Sequence, residues 1–179
     1  MDAFQAVVAQ IFSELGYWTE IDFKVELTKE EKRAIGRPSA PRWELDVIAY
    51  KPRLNELIVI ECKSYLDSHG VAAADLVPDG KYAERYKLFT DSRIWPVVRS
   101  RLIEQLYSQD RVAMDPIVRL CLAAGKVYGS EEDVKRRLAA LEADFYGPSW
   151  LKARLEEFAS RGYANEIAVV VAKILTRTK

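Results

Sequence analysis

The chain has 179 residues, of which 49% are apolar and 30% charged, and its 27 basic and 27 acidic side chains give a formal net charge of zero. This length suits one domain, or one domain with an appendage, and the composition is that of a folded protein and not of a disordered one. Because the charges cancel, no global positive field indicates a nucleic-acid partner. Any such binding must come from a local patch.

Several classes of site are disfavoured by the residue inventory. A zinc site or a histidine relay would depend on the single histidine, His69. The two cysteines, Cys62 and Cys121, lie in apolar runs, which favours buried thiols over a disulfide and suggests a reducing compartment. No glycine-rich phosphate loop is present, so no nucleotide cofactor is expected. The N-terminus lacks a basic signal region and the apolar run 167–175 is shorter than the roughly 18 residues of a membrane span, so we expect a cytoplasmic protein.

The first half of the chain predicts one helix followed by strands. Apolar residues at 3-and-4 spacing predict a helix over 3–15, ended by Gly16. Alternation predicts a strand over 21–27, and a charged, Gly/Pro-punctuated loop follows over 28–41. Two β-branched runs, 42–50 and 56–63, predict two further strands.

The second half predicts a helix, a strand and then helices. A loop covers 64–80, and the segment 81–89 is ambiguous between helix and strand. A helix begins near residue 91 with Pro96 in or near its first turn, and a fourth strand covers 116–129. Ser130 is a predicted N-cap for a helix over 131–145, and another helix starts at Ser149.

This order of elements predicts an α/β fold with a sheet between helices. We expect residues 1–129 to form the α/β core and residues 130–179 a C-terminal helical extension packed on the same domain. The apolar tail 167–175 could cap the sheet, or it could form the contact of a homodimer.

The stretch ELDVIAYKPRLNELIVIECKS (44–64) carries charge where a buried strand favours apolar residues. Alternation places Glu61 and Lys63 on the face of β-branched Val59, and we expect this face to be charged and the opposite face to be core. If residues 52–55 form a hairpin loop, Lys51 pairs with Glu56. The same register then sets Asp46 directly opposite Glu61.

Two opposed carboxylates would lie about 4.5 to 5.5 Å apart at their Cβ atoms, and they would repel each other in a poorly solvated place. A divalent cation reverses the sign of this interaction, because Mg²⁺ and similar ions prefer carboxylate oxygens. The register also places Lys63 beside Glu44, where an ammonium could balance charge. The alternative without a function is a solvated hairpin, in which each surface ion pair contributes at most about 1 kcal/mol to stability.

Asp46 followed by Glu61-Cys62-Lys63 on hydrophobic strands, after a helix and a strand, resembles the PD-(D/E)xK nuclease superfamily. The likeness over residues 3–129 is greatest to Mrr-type restriction endonucleases and Holliday-junction resolvases. It implies a restriction-endonuclease-like αβββαβ core with a central mixed sheet flanked by helices. It also implies a Mg²⁺-dependent (or Mn²⁺-dependent) DNA endonuclease in which Asp46, Glu61 and the backbone carbonyl of Cys62 bind metal, while Lys63 assists the attacking water.

The chain departs from the family pattern in two places. Leu45 replaces the proline of the motif, and Gln5 stands where the first helix often offers a glutamate. Gln5 could coordinate weakly or hydrogen-bond a bound water, and lower-ranked substitutes are Glu14, Glu20 and Glu44. The neutral Gln5 and the lack of a basic excess keep open an alternative function, a nuclease fold that binds nucleic acid or a protein partner without cleavage.

A basic and aromatic segment after the ExK strand is the predicted substrate-binding element. Lys81, Arg85 and Lys87 alternate there with tyrosines and a phenylalanine, a combination that can hold phosphates or splayed bases. A helix face over the core is an equally good interpretation of this segment.

Overall fold

The computed structural model describes residues 2–39, 42–78, 80–161 and 166–177. Within these residues the helices are α1 (Ala3–Glu14), α2 (Lys29–Ala34), α3 (Lys87–Thr90), α4 (Ile94–Ser108), α5 (Glu131–Ala139), α6 (Pro148–Ser160) and α7 (Ile167–Arg177). The strands are β1 (Trp18–Val25), β2 (Trp43–Lys51), β3 (Glu56–Lys63), β4 (Ile117–Ala124) and β5 (Ala143–Tyr146).

The described strands form one mixed sheet in the order β1-β2-β3-β4-β5. The pairs β1–β2 and β2–β3 are antiparallel, whereas β3–β4 and β4–β5 are parallel. Helices cover both faces, so the predicted α/β architecture with a central mixed sheet, flanking helices and C-terminal helices is confirmed.

Each face of the sheet buries its own apolar cluster. The α1 face carries Val47, Ala49, Ile58 and Ile60 and packs against α1, α6 and Val169 of α7. The α4 face carries Ile48, Tyr50, Leu57 and Val59 and packs against α4 and α5. The expectation that one face of β3 would be charged is therefore wrong. Both faces are core, and the charged side chains lie only where the strand ends.

Most of the predicted elements agree with the structure. Helix α1 ends as expected, because Gly16 has a φ of +84° that an L residue adopts only with strain. The loop between β2 and β3 is a short 3₁₀ turn closed by Asn55 in a left-handed conformation. The ambiguous segment 81–89 is helical, as a 3₁₀ turn followed by α3. Pro96 lies in the first turn of α4.

The predicted helix over 131–145 is wrong beyond Ala139. The chain turns at Glu142, whose φ is +56°, and residues 143–146 join the sheet as β5 beside β4. The C-terminal part therefore contributes a strand to the central sheet as well as helices. The sequence hides this strand, because only four residues form it and they come shortly after a helical pattern.

The apolar tail forms α7. Val169 and Ala172 are buried, whereas Ile167, Ile174 and Leu175 are largely exposed. The tail thus contributes to the cover of the α1 face, and the homodimer contact stays a prediction. Among the helices that the structure describes, none has the length and apolar content needed to cross a bilayer.

Phe12 lies at the centre of the α1-face cluster, 2% exposed, with its ring edge-on to Tyr17 and Tyr146 and tilted against Trp150. Phe12→Ala should lower the free energy of unfolding by about 3 to 5 kcal/mol, because it removes buried area and leaves a cavity. Urea unfolding measures this. The control Tyr107→Ala, at a half-exposed site on α4, should change stability by no more than about 0.5 kcal/mol. A loss below about 1 kcal/mol for Phe12→Ala would contradict this account of the core.

Candidate functional site

Asp46 lies at a break in the alternation of β2. Leu45 packs on the α4 face and Val47 on the α1 face. In a regular strand, residues two positions apart lie on the same face. The same break occurs opposite in β1, where Asp22 has a φ of +56° between the paired residues on either side of it. Aspartate tolerates this left-handed conformation better than most residues. The break turns the Asp46 side chain towards the end of the β2–β3 ladder.

The carboxylate of Asp46 accepts two hydrogen bonds. The backbone N–H of Cys62 donates to Oδ2 at 2.7 Å, and Nε2 of Gln5 donates to Oδ1 at 2.9 Å. The predicted hairpin register is confirmed from Lys51–Glu56 to Val47–Ile60. Beyond that point the backbone ladder stops. Asp46 and Glu61 are therefore not a cross-strand backbone pair as predicted. Instead, the Asp46 side chain accepts a hydrogen bond from the N–H of Cys62, the residue after Glu61.

Glu61 and Lys63 form an ion pair at the end of β3. Lys63 Nζ lies 2.7 Å from Glu61 Oε1, and the two side chains are 18% and 17% exposed. The β2–β3 register that the structure describes ends at Val47–Ile60, so it does not extend to the predicted pairing of Lys63 with Glu44. Lys63 contacts Glu61 instead, because residues two positions apart on a strand lie on the same face.

Asp46 and Glu61 line the same cavity, which has a volume of about 230 Å³. Glu44 also lines it, and the remaining wall consists of Arg37, Arg42, Trp43, Lys87 and Leu88. The ammonium of Lys87 lies 5.1 Å above the centre of the Trp43 ring. The cavity therefore has an acidic side formed by the strand ends and a basic side formed by the loop before β2 and by α3.

Burial governs the protonation of the acidic side. It raises the pKa of Asp46, against the hydrogen bonds from Cys62 and Gln5 and the charge of Lys63. Burial likewise raises the pKa of Glu61, and the Lys63 ammonium opposes this rise. Burial lowers the pKa of Lys63, but the carboxylates of Glu61 and Asp46 outweigh it and raise the pKa overall. All three groups thus hold a proton more tightly than in water, so the cluster favours additional positive charge.

The donor atoms of this cluster suit a hard cation such as Mg²⁺ or Mn²⁺. Asp46 and Glu61 offer carboxylate oxygens. The N–H of Cys62 points at Asp46, and in an antiparallel strand the carbonyl of the same residue points to the same neighbour. Burial raises the pKa of the Cys62 thiol, so the sulfur stays protonated and is a poor ligand. Within the described ranges no three His, Cys, Asp or Glu side chains cluster as a metal site, so this site would use two side chains and one carbonyl.

The other predicted residues have different positions. Gln5 directs its amide oxygen to the backbone N–H of Asp2, at 3.3 Å, so it caps α1 and orients Asp46. Glu14 is paired with Arg161 at the opposite end of α1, and Glu20 is paired with Arg111. Neither is a substitute ligand, because each lies in an ion pair away from Asp46 and Glu61.

Of the predicted substrate-binding cations, the structure brings only Lys87 into the described lining of the cavity. Lys81 and Arg85 are exposed, and both lie over the ring of Tyr82, at 5.1 Å and 4.7 Å. Lys87 is the first residue of α3, whereas Lys81 and Arg85 precede this helix and Arg85 lies in the 3₁₀ turn Ala83–Tyr86.

Three residues of the site are not among those predicted from the sequence. Asp22 adds negative charge that raises the pKa of Asp46, and Arg37 and Arg42 form the basic side with Lys87. Arg37 is held by Glu84 at 2.8 Å and Arg42 by Glu26 at 3.1 Å. Both arginines lie in a Gly/Pro-containing segment without periodicity, so no pattern assigns them to a face. Asp22 occupies a polar position of the alternating segment 21–25, so the pattern does not set it apart from a solvent-facing residue.

Comparison with known proteins finds no matching family model and no matching curated protein. Among solved structures the chain is similar to the crystal structure of the protein of unknown function AF1548. The two are 13% identical, the likeness covers 97% of this chain and 78% of that one, and the TM-score is 0.48.

The raised pKa of Asp46 predicts a measurable dependence of stability on pH. The folded protein binds this proton more tightly than the unfolded chain, so stability falls as the pH rises from the ordinary value of 3.8 through the raised one. Asp46→Asn removes the charge and keeps an oxygen that can accept from Cys62. In EDTA the variant should lose less stability than wild type between about pH 4 and about pH 7.

Denaturant unfolding across this range checks the expectation. The exposed Asp67→Asn variant is the matched control and should follow the wild-type profile. A profile for Asp46→Asn that is parallel to wild type would show that the buried carboxylate is not the source of the dependence.

Proposed function

We propose that the protein is a Mg²⁺-dependent (or Mn²⁺-dependent) endonuclease that hydrolyses phosphodiester bonds in DNA. The observation that carries this proposal is the shared cavity, whose lining contains the acidic residues Asp46 and Glu61 together with the cationic residues Arg37, Arg42 and Lys87. The resemblance of Asp46 and Glu61-Cys62-Lys63 to the PD-(D/E)xK motif adds the reaction class.

The acidic side would hold the metal through Asp46, Glu61 and the carbonyl of Cys62. Gln5 and the N–H of Cys62 fix both oxygens of Asp46 in place, so the carboxylate is oriented before any ligand arrives. When bound, the ion supplies Lewis-acid stabilisation of a phosphoryl oxygen and a more acidic water. Gln5 is thus a positioning residue in this proposal, because its amide acts through Asp46.

Lys63 would orient the attacking water and offset the charge that grows on the phosphate. Its ammonium already lies at the acidic side, 2.7 Å from Glu61. Glu61 would hold Lys63 less tightly once its carboxylate also served as a metal ligand, and Lys63 would then have donors for the substrate. The raised pKa of Lys63 keeps it protonated, so its role is electrostatic and not that of a general base.

The basic side would bind the phosphodiester. Arg37 and Arg42 are already engaged by Glu84 and Glu26. Lys87 forms no ion pair within 4 Å with any residue that the structure describes, and its ammonium lies over the Trp43 ring. Burial, followed by the charge of Arg37, lowers the pKa of Lys87. An anion in the cavity would therefore stabilise this ammonium.

The runner-up is a nuclease fold that binds nucleic acid without cutting it. It is favoured by the neutral amide of Gln5 and by the engagement of Lys63 with Glu61. Calorimetry separates the two functions. If the protein is an endonuclease, wild type should bind Mg²⁺ or Mn²⁺ and Asp46→Asn should not. If it does not cut, Asp46→Asn should leave metal binding unchanged or there should be none to lose.

Lys63→Ala should reduce Mg²⁺-dependent DNA cleavage by at least about 100-fold, the scale of losing one preorganised charge-stabilising group. Cleavage of plasmid DNA checks the rate, and circular dichroism checks that the variant folds. The control Lys152→Ala, at an exposed position on α6, should cut DNA at the wild-type rate. Equal cutting by Lys63→Ala and wild type would refute this mechanism.

Lys87→Ala should raise KM for DNA about tenfold and change kcat less, because it removes a charged contact that holds the phosphodiester equally in the ground state and in the transition state. Steady-state cleavage at varied DNA concentration measures both constants. Lys81→Ala is the matched control, because Lys81 is an exposed lysine outside the described cavity lining. Equal effects of the two substitutions would show that the cavity wall is not the phosphate site.

A further inference from the structure

An exposed pair of stacked aromatic rings lies on two loops that follow the central strands. The ring centroids of His69 and Tyr128 are 3.7 Å apart and the planes differ by 27°. Tyr128 is 57% exposed and His69 is also exposed. Within the described residues, neither ring belongs to the apolar clusters of the two sheet faces. The pair therefore presents π surface to solvent and contributes little to the core.

The two loops that carry these rings are tied together. The N–H of Val71 donates to the carbonyl of Lys126 at 3.0 Å, and the N–H of Tyr128 donates to the carbonyl of Val71 at 2.9 Å. Lys126 Nζ also donates to the carbonyl of Ser68 at 2.6 Å. The backbones approach so closely at Gly70 that an added Cβ would lie 2.9 Å from the carbonyl carbon of Val127. The stacked rings thus rest on a fixed support.

The support lies at the same edge of the sheet as the candidate site. The loops leave the carboxyl ends of the parallel strands β3 and β4, where the N–H of Gly125 donates to the carbonyl of Lys63 at 2.9 Å. A Cβ on Gly125 would lie 3.2 Å from Leu66 and from Phe4, the neighbour of Gln5. Ligands of open α/β sheets bind at this end of the strands. Rings and site are therefore placed to meet one ligand.

We propose that the His69–Tyr128 pair stacks on an unpaired nucleobase of the strand whose phosphate enters the candidate site, so that the preferred substrate contains single-stranded or splayed nucleotides. This inference rests on the proposed function. Exposed aromatic faces bind any unpaired base through stacking, whereas the bases of an intact duplex are already stacked on each other. The exposed Lys126 on the same support adds a cation that can attract the strand's backbone.

Fluorescence anisotropy tests the inference, with a short labelled single strand and the same strand in a duplex, in EDTA so that the DNA stays intact. Tyr128→Ala should weaken single-strand binding about tenfold, since base stacking on one aromatic ring is worth about 1 to 3 kcal/mol. Duplex binding should change less than about twofold, because duplex contacts go to phosphates. Tyr128→Trp should retain single-strand binding.

Tyr107→Ala is the matched control, because Tyr107 is 45% exposed on α4. It should leave both affinities unchanged. A strand with 2-aminopurine should also show fluorescence quenching with wild type and less quenching with Tyr128→Ala. Equal losses for single strand and duplex, no loss at all, or no binding of the single strand by wild type would each overturn the inference.

These outcomes are separable from failure of the proposed function. If Asp46→Asn abolishes metal-dependent cleavage while Tyr128→Ala leaves single-strand binding intact, the nuclease stands and the stacking role is wrong. If no metal-dependent cleavage occurs but the stacking signature is present, the endonuclease proposal is wrong. The pair is then a base-binding element of a protein that does not cut.

Discussion

The candidate site depends on one electrostatic imbalance, because two partly buried carboxylates share a single close ammonium. Asp46 and Glu61 are kept from water by the packed sheet, and Lys63, whose charge acts on both, supplies one positive charge for two carboxylates. Burial raises the pKa of each carboxylate, and Lys63 only partly opposes this rise. A buried surplus of negative charge is unfavourable unless a proton or a cation compensates it. The fold tolerates the cost because the Cys62 N–H and the Gln5 amide stabilise the Asp46 carboxylate.

The architecture explains why this imbalance is confined to one edge of the sheet. Both faces of β3 are covered along Leu57 to Ile60, so charge can lie only beyond the last buried residues. There the β2–β3 ladder ends, the start of α1 approaches, and the loops after β3 and β4 are joined. A helix terminus, two strand ends and two loops thus converge. Each contributes side chains that the interior of the sheet could not accommodate.

The features that could be predicted from the sequence were those with a strong apolar periodicity and the strand register, which the length of a hairpin loop sets. The four residues from Pro52 to Asn55 set the Lys51–Glu56 register, and two-residue periodicity carried it to Val47–Ile60. Periodicity failed at Asp22 and Asp46, because a left-handed φ within a strand leaves no mark in an apolar pattern. Strand β5 was missed because four residues are too few to outweigh the helical signal before it. Arg37 and Arg42 come from an aperiodic segment, whose position is set by tertiary contacts with Glu84 and Glu26.

The opposed charges of the cavity have a further consequence for ligand binding in the proposed function. A metal ion that approaches Asp46 and Glu61 alone is repelled by Arg37, Arg42 and Lys87, and a phosphate that approaches those cations alone is repelled by the two carboxylates. A metal and a phosphodiester that enter together remove both repulsions. Their affinities are then coupled, and by linkage each ligand must strengthen the other by the same factor. In the proposed function, metal retention would then depend on the presence of substrate, which suits a chain whose overall charge is zero, because any attraction for DNA would have to come from a local patch.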